Sequence, residues 1–221
     1  MKKRISTLLC LLVLAMTGIQ AKDYNVKDFG AIGNGKVLDH QAINTAIDSC
    51  VAHGGGRVVL PAGTYLCGSI RMKSHVELHL MAGSKILAAP ASMKAYDEAE
   101  FFEGTAYQDG GHTYFKNSLI YAIGANDVSI TGRGMIDGEG LTRKDTEKAG
   151  NLQGGNIGTG DKAIALKQCR NILIRDVTIY RGGHFGIIVT GCELGTIDNV
   201  VIDTNRDGLD IDCCKYLTIS N

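Results

Sequence analysis

The chain has 221 residues, with 23 basic and 23 acidic side chains, 44% apolar residues, 29 glycines, two prolines and no tryptophan. Balanced charge leaves no basic excess to neutralise phosphates, which argues against a nucleic-acid partner. The apolar content and the scarcity of proline argue against a low-complexity linker, and the length suits one domain.

The chain opens with Lys2, Lys3 and Arg4, runs into LLCLLVLAM and reaches the small residue Ala21. A basic start, an apolar centre too short to span a bilayer and a small-residue cleavage position describe a secretory signal peptide over residues 1–21. The expectation is therefore a secreted or periplasmic protein with no membrane attachment after cleavage, and a single domain over 22–221. That domain carries 20 basic against 23 acidic residues and six cysteines: Cys50, Cys67, Cys169, Cys192, Cys213 and Cys214. No CxxC and no paired-histidine spacing occurs, so the cysteines do not read as a zinc site. Export would permit disulfides.

Next comes DFGAIGNGK, whose Gly30, Gly33 and Gly35 are spaced GxxGxG. The dinucleotide fingerprint is GxGxxG, so this stretch reads as a turn. LDHQAINTAIDSCVAHGGG predicts a helix with Asp39 as N-cap, an apolar stripe of Ile43, Ala46, Ile47, Cys50 and Val51, and glycines 54–56 to end it. Strands follow in RVVLPAGTYLCGSI and HVELHLMAGSKILAA. One amphipathic helix ahead of a run of strands is suited to cover the open end of their stack. Two segments, 92–117 and 139–161, break the strand rhythm. They either rim a groove on one wall or form surface loops.

The second half repeats. CRNILIRDVTI from Cys169, CELGTIDNVVI from Cys192 and CKYLTISN from Cys214 align at steps of 23 and 22 residues. Ile174, Ile197 and Ile219 fall in phase, as do Asp176, Asn199 and Asn221, and Ile130 precedes Ile174 by 44 residues. Short alternating β-branched runs with no helix between them cannot bury a face alone and must stack on their neighbours. The predicted fold class is all-β: a right-handed parallel β-helix, one coil per repeat, with an N-terminal capping α-helix. A β-sandwich would not explain the recurring phase. Cys169, Cys192 and Cys214 should stack as buried thiols, with Cys213 on the opposite face from Cys214.

NRDGLDIDCC places Asp207, Asp210 and Asp212 within six residues. Alternation turns Leu209 and Ile211 inward and Asp210 and Asp212 outward, and Asp207 stands where a turn enters the strand. Acids on successive coils would lie about 4.8 Å apart, where like charge raises one pKa and leaves an acid beside a base. A strand-end hydrogen-bond ladder accounts as well for Asp210 and better for Asp212. The spacing matches no calcium loop. One coil earlier, RGGHFGIIV puts His184 and Arg181 within reach of a substrate carboxylate, unless the histidine is simply solvated.

DFGAIGNGKVLDHQAINTAIDSC, GGGRVVLPAGTYLCGSIRMKSHVELHLMAGSKIL, GRGMIDGEG and NRDGLDI, in this order, resemble glycoside hydrolase family 28, the polygalacturonase-like enzymes that cut pectin. The resemblance runs from about Tyr24 to the last residue. Its first two stretches specify the fold, and the last two bear on activity. The family motif is Asn-Thr-Asp-Gly-x-Asp. The resemblance makes Asp207 the catalytic carboxylate, places Asn205, Arg206 and Asp210 at the substrate, and puts arginine where threonine is usual. It implies inverting hydrolysis of an α-linked galacturonide in a pectic polysaccharide or oligogalacturonide, by a monomer with no cofactor and no metal. The family's downstream Asp-Asp pair, Gly-His-Gly and Arg-x-Lys do not occur, so the chain is expected to be incomplete at its C-terminus and inactive by itself. The alternatives are a non-catalytic carbohydrate-binding or structural β-helix and a polysaccharide lyase; the carboxylate motif does not favour a lyase.

Overall fold

Short β-branched runs separated by tight turns wind this chain into a right-handed parallel β-helix. The computed structural model describes residues 22–101, 110–142, 158–204 and 206–221. The predicted leader, Asn205, a part of the first excursion (102–109) and most of the second (143–157) lie outside the described residues. In chain order the strands are β1 (Asp23–Asn25), β2 (Asn34–Leu38), β3 (Gly56–Leu60), β4 (Gly63–Cys67), β5 (Ile70–Arg71) and β6 (Val76–Leu80). Then come β7 (Ser84–Ala88), β8 (Ser118–Ile123), β9 (Asn126–Thr131), β10 (Met135–Asp137), β11 (Lys162–Lys167) and β12 (Arg170–Arg175). The last are β13 (Thr178–Tyr180), β14 (Phe185–Thr190), β15 (Glu193–Asp198), β16 (Val201–Asp203), β17 (Asp207–Asp212) and β18 (Lys215–Ser220). Helix α1 (His40–Ala52) lies between β2 and β3.

Each winding gives one strand to each of three parallel sheets, ordered β1-β3-β6-β9-β12-β15-β18, β2-β4-β7-β10-β13-β16 and β5-β8-β11-β14-β17. The repeat phase is the pairing register: Ile130, Ile174, Ile197 and Ile219 are successive partners in the first sheet. A slip of one residue would turn this apolar row outward, so burial of the row holds the register. At the corners, Asn199 donates to Asp176 at 2.8 Å and Asn221 to Asp198 at 2.7 Å. Asp176, Asn199 and Asn221 all take left-handed backbone angles (φ +67°, +50° and +65°), which Asn and Asp tolerate better than other residues with a side chain. The cysteine row forms as free thiols: the Cys169 N–H points at Cys192 Sγ and the Cys192 N–H at Cys214 Sγ, each at 3.4 Å, and Cys213 is exposed.

Helix α1 buries Ile43, Ala46, Ile47 and Cys50 against the first windings. Val51, expected in that stripe, is exposed at its margin. Asp39 occupies the N-cap position, but its side chain makes no capping bond. Its carboxylate instead accepts from the backbone N–H of Ile32 (2.6 Å) and Gly33 (2.9 Å), so it ties the glycine turn to the helix start. Two preorganised loop donors outcompete the helix's own first turn for one buried carboxylate. No helix among the described residues is long and apolar enough to cross a membrane.

The outer face of the third sheet carries a ladder from Arg71 through Tyr121, Ala165 and Ile188 to Asp210. The described part of the first excursion roofs the lower rungs. Phe115 packs with Ala165, Phe185 and Ile188 in a second apolar cluster outside the main core. Glu100 accepts from the N–H groups of Phe115 (2.9 Å) and Lys116 (3.0 Å), which closes the excursion on itself. Asp97 anchors its root, accepting from Arg71 Nε (2.7 Å) and Nη2 (2.6 Å) and from the Tyr121 hydroxyl (2.7 Å).

Burial alone would raise the Asp97 carboxyl, but the Arg71 and Tyr121 hydrogen bonds outweigh it and hold the group below its ordinary value of 3.8. A carboxyl lowered by folding contributes stability above its unfolded pKa and loses it as pH falls through the lower folded value. The anchor should therefore hold at neutral pH and slacken below about pH 4. Exposed ion pairs are worth up to about 1 kcal/mol, so Asp97→Asn at pH 7 should raise local opening of 89–101 roughly fivefold. Hydrogen exchange of that segment between pH 3 and 7 reads it; protection independent of both pH and the substitution would refute the anchor.

Candidate active site

Strand β17 enters from the turn at Arg206 and pairs with β14 through Asp207–Phe185, Ile187–Leu209, Ile188–Asp210 and Thr190–Asp212. Leu209 packs against the main core, while Phe185 and Ile188 belong to the outer cluster. Asp207 and Asp210 thus stand over outward-facing neighbours. Strict alternation counted back from Leu209 would have pointed Asp207 inward, yet its side chain is 53% exposed. The pleat breaks at Gly186 and Gly208, which are skipped in the register. A Cβ on Gly186 would lie 2.6 Å from the Gly208 carbonyl oxygen, so the close approach of the two coils requires glycine there.

No local pattern singles out His112, and the fold brings it to this wall. It ends the short 3-10 turn Gly110–His112, and its Nδ1 lies 2.8 Å from Asp212 while its Nε2 lies 3.7 Å from Asp210. The ring meets Phe185 edge-on, with centroids 5.0 Å apart. One hundred residues separate His112 from Asp212, so no local spacing could reveal the pair. The only signal was the polar and aromatic stretch GGHTYF in the first excursion. His112, Asp210 and Asp212 offer donor atoms within 4.8 Å of one another and could hold a divalent cation.

His184 is neither solvated nor open to a substrate, being 1% exposed. Its ring stacks edge-on against Phe185, with centroids 4.6 Å apart, and a Cβ on Gly111 would come within 2.7 Å of it. Arg206 covers it, with Nη1 against both ring nitrogens and 2.9 Å from Nδ1. The same guanidinium lies 5.5 Å from the Phe185 ring centre, and its Nε is 3.5 Å from the Asp207 carboxylate. His184 therefore supports Arg206 from below. Its backbone N–H donates to the Asp161 carbonyl at 2.7 Å, and the Asp161 carboxylate pairs at 2.6 Å with the fully buried Lys162. Sequence reasoning overlooked that buried pair, whose two charges offset each other's desolvation only while the turn keeps its shape.

Arg181 also departs from expectation. Asp137 takes it bidentately (2.8 and 2.7 Å), Glu139 lies 3.2 Å away and the Tyr180 ring sits beneath it. The hydrogen bonds it donates to Asp137 raise its pKa further. Arg181 lines a cleft of about 440 Å³ with Glu139, Tyr180, Asp203 and Thr204, and its carboxylate partners are Asp137 and Glu139. Asn205, expected at the substrate, lies outside the described residues.

The wall can thus offer an exposed carboxylate at Asp207, a guanidinium beside it, and two further carboxylates held by an imidazole. The family model described as rhamnogalacturonase A/epimerase, pectate lyase-like matches residues 24–221. The plasmin and fibronectin-binding protein A of Streptococcus pneumoniae is 32% identical over 82% of this chain, and the exo-poly-alpha-D-galacturonosidase of Dickeya chrysanthemi 26% identical over 95% of it. The chain spans 23% and 41%, respectively, of the length of these two relatives. Among solved structures, a hyperthermoactive exopolygalacturonase from Thermotoga maritima superposes with a TM-score of 0.73 at 27% identity, over 91% of this chain and 52% of the other.

Proposed function

From the premise that this chain belongs to the rhamnogalacturonase A/epimerase, pectate lyase-like family, we propose that it is the base-carrying portion of an exported polygalacturonase-type glycoside hydrolase. Its substrate is an α-linked galacturonide of a pectic polysaccharide. The observation that carries this reading is the exposed Asp207 at the head of β17, outside the core and beside a guanidinium. Homology to a galacturonosidase along 95% of the chain supports the substrate class.

In the proposed reaction Asp207 takes a proton from water as its oxygen attacks the anomeric carbon. The bond to the leaving oxygen breaks, and a second carboxylic acid supplies that oxygen with its proton, so the product has inverted configuration. Inverting pairs stand roughly 6.5–9.5 Å apart, wider than the ~4.8 Å between adjacent strands. The acid should therefore sit diagonally from Asp207 on a following coil, stacked on the edge that β17 leaves unpaired among the described residues. Asp210 and Asp212 already face His112 and are poorly placed to be that acid. Export follows from the leader read in residues 1–21.

A polypeptide extended by further coils should release reducing ends from polygalacturonate with no rise in unsaturated-uronide absorbance, and the 221-residue chain should do neither. A rise in that absorbance would replace hydrolysis by lyase chemistry. Turnover by the short chain would remove the need for a downstream acid. The second reading, binding without turnover, is favoured by the similarity to a plasmin- and fibronectin-binding protein. Tight binding of either protein by an extended chain that leaves polygalacturonate uncut would establish it.

A further inference from the structure

A titratable side chain outside the candidate site is shut away with its hydrogen-bonding capacity half used. His40 begins helix α1, is 6% exposed, and its Nδ1 has no hydrogen-bond partner among the described residues. Its Nε2 lies 3.3 Å from the Gln41 amide nitrogen, a donor, so that ring nitrogen acts as an acceptor. The same helix face docks on the root of the first excursion. One turn on, Asn44 donates to the Ser69 carbonyl (2.9 Å) and accepts from the Arg71 N–H (2.8 Å), and the Asp97 N–H donates to the Ser69 hydroxyl (3.1 Å). The charged groups around the ring are Arg71 from β5, Asp97 from the excursion and Asp39 from the preceding turn. Both acids are already engaged, Asp97 by Arg71 and Tyr121 and Asp39 by the N–H groups of Ile32 and Gly33.

We propose that His40 is an acid-sensitive latch: as a neutral ring it lets α1 and the root of the first excursion close on each other, and its protonation in mildly acidic surroundings loosens both. A proton added at Nε2 would set donor against donor. It would also bury a second cation beside Arg71, at the positive end of the α1 dipole. Burial first, then Arg71, hold the His40 pKa below its ordinary 6.5, against the opposing pulls of Asp97 and Asp39. The open state therefore takes up the proton more readily. The latch contributes its full stability above the unfolded value of about 6.5 and loses it as pH falls from there through the lower folded value. That window lies above the slackening of the Asp97 anchor below about pH 4, so the two effects separate on the pH axis. The excursion carries His112 to the wall of Asp210 and Asp212, so the latch sets the pH range in which that wall is complete.

Hydrogen exchange of residues 36–44 and 89–101 tests the proposal, followed from pH 7.5 to 5.0 and corrected for the intrinsic pH dependence of exchange. The native 221-residue chain is compared with His40→Gln, which keeps a polar side chain but cannot charge. Native protection should fall about fivefold between pH 7.5 and 5.5, and the variant should stay level over the same range. The difference between the two isolates His40, because the other histidines are present in both. Circular dichroism identifies a variant that fails to fold. In that case the imidazole resonances of the native chain carry the test, and that of His40 should titrate below 6.5. A His40 ring that titrates at 6.5 or above overturns the proposal. So does a variant whose protection falls with pH as steeply as that of the native chain, or a native chain whose protection in both segments does not change.

Discussion

Asp207→Asn in a polypeptide carrying the following coils should lower hydrolysis of polygalacturonate by roughly 10²–10⁴-fold, the usual contribution of a positioned proton acceptor. Asparagine has nearly the same shape but cannot take a proton from the attacking water. The structure gives Asp207 little other role. Its side chain is half exposed, and its contact is the Arg206 Nε at 3.5 Å. Substitutions at such surface positions usually change stability by no more than about 0.5 kcal/mol. The melting temperature and trigalacturonate affinity should therefore stay close to native while turnover collapses. A rate within a factor of about two of native, under 0.5 kcal/mol of barrier, would remove Asp207 from the mechanism.

Phe185→Ala should cost about 3–5 kcal/mol of stability, the range for emptying a buried aromatic site. The ring is fully buried and packs with Phe115, Ala165 and Ile188 in the outer cluster. It also touches three groups of the candidate site: His112, His184 and the Arg206 guanidinium. Truncation should thus shift the urea midpoint and lower turnover by the extended polypeptide together, because His112, His184 and the Arg206 guanidinium lose the ring on which they pack. Phe185→Leu keeps most of the volume and should cost less than about 1.5 kcal/mol. A solenoid can unfold in stages, so the midpoint should be read with two probes. An alanine variant within about 1 kcal/mol of native would show that the outer cluster contributes little.

The β-helix was legible because each coil repeats the same packing problem. Ile130, Ile174, Ile197 and Ile219 kept their phase over four coils, and the pairing register reproduces that phase residue for residue. The capping helix was legible from a 3.6-residue stripe, although the stripe ended at Cys50 and left Val51 exposed. Asp39 shows the limit of local rules. It stands where an N-cap belongs, but tertiary folding brings Ile32 and Gly33 close enough to claim its carboxylate.

The candidate site was legible only along one strand. Asp210 and Asp212 could be placed on the outer wall from strand alternation, and Asp207 only from the resemblance of NRDGLDI. What meets them could not. His112 arrives from 100 residues away, and His184 and Arg181, read as substrate contacts, turn out to be a buried support and a clamped ion pair. By itself the sequence determined the winding, its register and the carboxylate row, because these depend on periodic burial within a few residues of chain. Only the tertiary structure decided which side chains surround that row, because a solenoid stacks residues one coil or more apart and the described part of its first excursion folds back over a wall far from it in sequence.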